Sequence, residues 1–240
     1  MAGYFRRFGK YAFMHGKKIK SPKIYSKHKS LRSNKLYDSK FYQFAIIDPG
    51  PDSCGIRIER LYLKTGEKKL IWFSTVNFGS DTADINTNMK KSMRYVEPFL
   101  TNCQTIGIED QFMKSEVNYQ CFSALIYYIT TNICTKNLHP NLYGIDIKLK
   151  TTYIGGPSTK TQNGGKSIKK WSKKKALKTC KEEKDYVSYN ILKCSYSKPS
   201  TDLADTKCYC IGWIKYVMET DLIYLPFNKK HLEKFRSKNE

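Results

Sequence analysis

The sequence predicts an α/β protein: a mixed five-stranded sheet with helices on both faces. Three observations carry that expectation. Short apolar or alternating runs, separated by turn residues, crowd residues 41–76. Two further apolar runs, at 105–109 and 142–149, lie among segments of helical spacing. From residue 167 to 219 the pattern is helical, so the later elements pack on the sheet and do not extend it.

The elements follow in order. Phe44-Ala45-Ile46-Ile47, closed by Asp48-Pro49-Gly50, is a buried strand ending in a turn. Residues 55–63 alternate as a half-buried strand, Thr65-Gly66 turns the chain, and 70–76 supply a third strand. Hairpin links make these three an antiparallel meander. A polar helical stretch over 83–100 leads to the fourth strand, Thr105 to Glu109. Val117, Cys121, Leu125, Tyr128, Ile129 and Ile133 then recur at the spacing of an amphipathic helix. The run 142–149 reads as the fifth strand. A loop from Gly155-Gly156-Pro157 to Gly164-Gly165 precedes a Lys-rich helix over 167–184 and a last helix over 202–219. The domain organisation expected is a basic flexible arm over 1–40, one domain over 41–225 and a basic tail over 226–240.

The chain of 240 residues carries 43 Lys and Arg against 21 Asp and Glu, a formal charge of +22. Such an excess draws a protein toward phosphate polymers or anionic surfaces. Interleaving with Tyr, Gly and Ser, without a basic amphipathic helix, favours nucleic acid over a membrane. Residues 1–40 hold 12 Lys or Arg and one acid, Asp38, and so half the net charge. This arm suits nonspecific DNA contact or nuclear targeting; an organellar presequence also fits a segment with arginines and few acids. No apolar stretch reaches the length of a membrane span, and a soluble intracellular protein is expected. The eight cysteines form no CxxC pair and the four histidines lack ligand spacing, which argues against zinc and for buried free thiols.

Four acids stand out in so basic a chain: Asp48, Glu109, Asp202 and Asp205. Asp48 and Glu109 each end an apolar strand, where a carboxylate projects into the crevice in which α/β proteins bind ligands. Asp-Pro-Gly is also a plain turn signal, and Gly50 would let a phosphate or another segment come close. Asp202 and Asp205, three apart, share a helix face. Placed in a first turn after Pro199, they also fit a simple role as helix-start acids facing the dipole. Taken together, the four suit two divalent ions holding a scissile phosphate, with Mg²⁺ preferred for its few carboxylates plus water and phosphate oxygens.

Ile46-Ile47-Asp48-Pro49-Gly50 with Gly55, then Ile108-Glu109 with Gln111, then Asp202-Leu203-Ala204-Asp205, resemble the successive motifs of the RuvC-type Holliday junction resolvases. The poxvirus and large-DNA-virus enzymes belong to that family, whose fold is RNase H-like. The resemblance spans about 160 positions. It implies a homodimeric endonuclease that nicks four-way or branched DNA symmetrically, using Mg²⁺ (with Mn²⁺ substituting), two ions per site. It implies Asp48, Glu109, Asp202 and Asp205 as metal ligands. In the segment before the last acids, Lys173 is the best positional match to the family's phosphate-holding lysine. Lys166, Lys169, Lys170 and Lys174 are the implied DNA contacts; a solvated basic helix face is the plain alternative. Gly165-Lys166-Ser167 is not a P-loop, since the first glycine would fall at Lys160, and no nucleotide cofactor is expected. Two other readings stay open at this point, an RNase H-type nuclease and a noncatalytic basic DNA-binding protein.

Overall fold

The computed structural model describes residues 11–14, 17–20, 23–26, 40–79, 84–110, 116–134, 140–157, 164–194 and 198–220. Near the N-terminus, β1 (Tyr11–Met14) and β2 (Lys17–Lys20) pair as an antiparallel ribbon, followed by β3 (Lys23–Ser26). The central sheet contains β4 (Phe41–Asp48), β5 (Cys54–Tyr62), β6 (Lys68–Val76), β7 (Thr105–Glu109) and β8 (Asn141–Ile145). These five run in the spatial order β6-β5-β4-β7-β8. β4, β5 and β6 form the expected antiparallel meander, while β7 and β8 lie parallel to β4. This is the mixed five-stranded α/β sheet that the sequence predicts. β3 adds a sixth strand, antiparallel on the free edge of β8. Four residues are too few for a periodic signal, so periodicity marks no strand within 1–40.

Strand alternation divides the sheet's two faces. From β4, Ala45 and Ile47 point one way, into a core with Ile58, Ile106, Ile108, Met89, Leu125 and Ile129. That face is covered by α1 (Ile85–Met93), the short α2 (Glu97–Leu100) and α3 (Glu116–Tyr128), which runs on through a π-helical turn at Ile129–Ile133. Tyr42, Phe44 and Ile46 point the other way, toward Tyr209, Trp213 and Val217.

The second face differs from expectation in three places. β8 ends at Ile145, and α4 (Lys148–Ile154) replaces the rest of the run read as strand. The cause is local: the Asp146 carboxylate accepts the Lys148 N–H at 2.8 Å, turning the chain, and Gly155 ends the helix at φ +73°. Next, α5 (Gly164–Glu182) is followed by an unforeseen α6 (Tyr186–Cys194), whose Ser188 N–H is capped by Asp185 at 3.1 Å. Lastly, α7 (Lys198–Thr220) starts at Lys198, so Asp202 and Asp205 lie past its first turn. Dipole stabilisation of helix-start acids, which fades within a turn, is therefore not what places them. Among the described residues no helix is long and apolar enough to cross a membrane. The cysteines are free thiols, six of them buried.

A buried ionic network ties the α5–α6 turn to the sheet. The Arg57 guanidinium donates to Glu59 at 2.5 Å, Ser188 at 2.8 Å and Asp185 at 2.7 Å. Lys207 of α7 donates to Glu59 at 3.1 Å and to Glu183 at 2.7 Å, and Lys68 also pairs with Glu183. Burial opposes the charge on Glu59, but Lys207 and Arg57 outweigh it and hold its carboxyl well below the usual range.

Candidate active site

β4 and β7 are parallel neighbours, with Ile47 in register with Ile108. The residues that follow, Asp48 and Glu109, therefore end adjacent strands side by side. Both continue the alternation of Ile46, whose face lies against α7. On α7 itself, Asp202 and Asp205 sit three residues apart and are buried, at 7 % and 6 % exposure. Gly55 permits the close approach of this helix to the sheet: a Cβ there would lie 3.0 Å from both the Asp202 carbonyl oxygen and Thr206 Cγ2. Gly50 is packed against the Ser53 carbonyl, where a Cβ would come within 2.7 Å. Both glycines thus serve chain packing, and the space that Gly50 was expected to leave for a phosphate is occupied by the loop itself.

The acids interact strongly. Burial, the charge of Glu109, a hydrogen bond with Glu109 and the charge of Asp205 together push the Asp48 carboxyl well above its ordinary range. Lys150 of α4 works in the opposite direction. It is buried, and its ammonium donates to Asp205 Oδ1 at 2.7 Å. Burial disfavours that charge, yet Asp205, Glu109 and Asp48 outweigh it and raise the Lys150 pKa. The same ammonium sits 4.2 Å from the centre of the Tyr209 ring. Tyr209 is fully buried, and burial with the charges of Glu109 and Asp48 pushes its phenol far up.

The predicted lysines are distributed along α5. Lys169, half exposed, reaches Asp202 Oδ1 at 3.6 Å. Lys173 is half-buried one turn further on, and Lys170 and Lys174 are exposed. Ile168, Ser172, Ala176 and Cys180 form the buried face between them. The side chain of Lys166 lies outside the described residues, as do Gln111 and the tail over 226–240.

Lys150 and Tyr209 are functional candidates that the sequence does not announce. Lys150 falls within a run read as strand, and nothing in that run marks a turn before it except Asp146. Tyr209 is four residues after Asp205, hence on the same helical face, which is the one signal that could have found it.

A metal is implied by the family resemblance. The donor set fits one: hard carboxylate oxygens, crowded so that Asp48 resists ionisation, with fewer cations than acids around them. Among the described residues, however, no group of three His, Cys, Asp or Glu side chains is arranged to hold an ion as it stands. Asp205 is turned to Lys150 and Asp202 to Lys169.

No protein-family model and no curated protein sequence matches the chain. Several solved structures are distantly similar. Thermus thermophilus RuvC in complex with a Holliday junction substrate is 15 % identical with a TM-score of 0.47, covering 75 % of this chain and 96 % of its own. The fowlpox virus resolvase with substrate Holliday junction DNA is 20 % identical with a TM-score of 0.48, covering 75 % and 99 %. The fowlpox virus Holliday junction resolvase alone is 13 % identical, also with a TM-score of 0.48, over 72 % and 99 %. These are distant likenesses, and the functional reading rests on the side chains gathered around Asp48.

Proposed function

We propose that this protein is a Holliday junction resolvase: a metal-dependent, structure-selective endonuclease that nicks branched DNA symmetrically as a homodimer. One observation carries the reading, the meeting of Asp48, Glu109 and Asp205 beside Lys150 within a chain of charge +22. Buried acids that repel one another destabilise a fold unless a cation joins them. In a protein that attracts polyanions, the cation that suits both the acids and a phosphate is a divalent metal.

Asp48, Glu109, Asp202 and Asp205 are the residues that would hold Mg²⁺ or Mn²⁺. When bound, such ions polarise the scissile phosphate, lower the pKa of an attacking water and stabilise the leaving 3′ oxygen. Asp48, central among the acids, has its carboxylate form favoured by any added positive charge. Lys150 holds Asp205 in place and keeps an ammonium beside the cleft, where it can neutralise a phosphate oxygen. Lys173 is the second lysine offered to the scissile phosphate, while Lys166, Lys169, Lys170 and Lys174 track the DNA backbone along α5. Paired nicks need two sites, hence a two-fold dimer. The exposed Tyr119 and Tyr127 make α3 the face that would meet the second copy.

The test compares a four-way junction, a linear duplex and an RNA/DNA hybrid as substrates with Mg²⁺. Paired nicks in the junction are expected, and preferential cutting of the hybrid would instead support an RNase H-type enzyme. The Asp48→Asn/Asp205→Asn variant should bind the junction and leave it uncut. Cleavage unchanged in that variant would sink the assignment of the acids, and binding by a wild-type protein that never cuts would leave a noncatalytic DNA binder.

A further inference from the structure

Two contacts of the Lys150 ammonium come from a single turn of α7. The ammonium bonds Asp205 Oδ1 at 2.7 Å and lies 4.2 Å from the centroid of the ring four residues later. That separation places a cation over an aromatic face, where the ring quadrupole attracts it, most strongly when both groups are shielded from water. Both are shielded here: Lys150 is 3 % and Tyr209 0 % exposed. Asp205 alone would not fix the ammonium, because a lysine is a point charge on a flexible four-carbon stem. A cation that competes for Asp205, or a phosphate that competes for the ammonium, would break that bond.

The Tyr209 hydroxyl is buried beside Glu109, so the ring lies within the acid cluster while its face meets the Lys150 ammonium.

We propose that Tyr209 is the positioning residue for Lys150, its ring seating the ammonium beside the acids independently of Asp205. The seat keeps the lysine's charge in place when Asp205 turns to another cation and a DNA phosphate enters. Its bearing on cleavage rests on the nuclease reading above; the seat itself does not.

Three substitutions separate the ring's charge distribution from its bulk. Tyr209→Phe keeps the face and is the conservative rescue, expected to cut within about threefold of wild type in single turnover. Replacing that phenylalanine by its mono- and trifluorinated analogues drains the quadrupole at nearly constant volume, and the rate should fall stepwise, about tenfold in all. Junction affinity should stay constant through the series. In Lys150→Ala the same fluorination should have no effect, because the partner it acts upon is gone. A flat fluorination series in the wild-type background, or losses that multiply in the Lys150→Ala background, would overturn the proposal. If the protein cuts no junction at all, the nuclease reading fails and the seat is read directly by NMR. Ring-current displacement of the Lys150 ε-methylene, lost in Tyr209→Leu, supports it, and an undisplaced signal in the wild-type protein refutes it.

Discussion

Asp205 and Lys207, two residues apart on α7, enter two buried charge clusters of opposite character. Around Lys207, three cations (Arg57, Lys68, Lys207) meet three carboxylates (Glu59, Glu183, Asp185). Burial resists their ionisation, but the cations win, and all three carboxyls titrate below their ordinary values. Around Asp205, three carboxylates (Asp48, Glu109 and Asp205) share the buried Lys150, and Asp202 meets the half-exposed Lys169. There burial, joined by the charges of Glu109 and Asp205, outweighs Lys150, and the Asp48 carboxyl is pushed up. Burial is common to both clusters, so the number of cations decides their character. The balanced set is a staple between sheet and helices. The acid-rich set is short of positive charge, which is the condition of a site that takes a cation from outside.

Substitutions should separate the two clusters by what they damage. Asp48→Asn is expected to lower junction cleavage by at least ~10²–10³-fold, the scale seen when one electrostatic element of a catalytic site is removed. Its melting temperature should hold or rise, because one repelling charge has gone. A large drop in stability would erase the distinction drawn between the clusters. Glu59→Ala should do the reverse, costing about 3–5 kcal/mol in a denaturant titration because Arg57 and Lys207 stay buried without a shared partner. The rate of cleavage per folded molecule should change far less than the stability.

Metal addition sharpens the contrast. An ion that binds only the folded chain stabilises it by about 2.7 kcal/mol at a hundredfold excess over its Kd. Mg²⁺ should therefore raise the melting temperature of the wild-type protein and of any folded variant of the staple, but not of Asp48→Asn.

Acid provides a fourth comparison. Depressed carboxyls such as Glu59 contribute stability that is fully present above the unfolded value of about 4.3 and is lost as pH falls toward the folded value. Glu59→Gln should flatten that loss. Asp48 has the opposite sign: its folded pKa is raised, so its ionisation above the unfolded value of about 3.9 costs stability as pH rises. Asp48→Asn should remove that cost, and stability measured against pH in the two variants checks both signs. The smallest effect is expected from Lys170→Gln and Lys174→Gln on the exposed face of α5. Each should flatten the dependence of log binding constant on log salt by about 0.9 for every DNA phosphate left without its lysine, with cleavage at saturation preserved.

Asp48 and Glu109 are legible as a pair because each terminates an apolar run. A strand's period and its end are local properties, written in which residues are apolar and where Pro or Gly intervenes. The five strands, the meander and the pairing of acids at Asp202 and Asp205 follow from the same kind of local pattern. Lys150 is not legible, since Leu142 through Leu149 continue an apolar run and one hydrogen bond from Asp146 converts its end into a helix. The start of α7 is equally hidden, because the acids at 202 and 205 imitate a first turn that lies four residues earlier. Glu59 and Lys207, 148 positions apart, give no sign that they meet.

Amino-acid order alone therefore specified the five main strands, most of the helices, the excess of positive charge and four acids at strand ends and on one helix face. Folding settled which charges share a cavity. Whether a buried acid is held ionised or pushed toward its neutral form depends on cations within a few ångströms, and those come from β5, β6, α4, α5 and α7, scattered along the chain. That is why Asp205 and Lys207, neighbours in sequence, belong to an acid-rich cluster and a charge-balanced staple respectively.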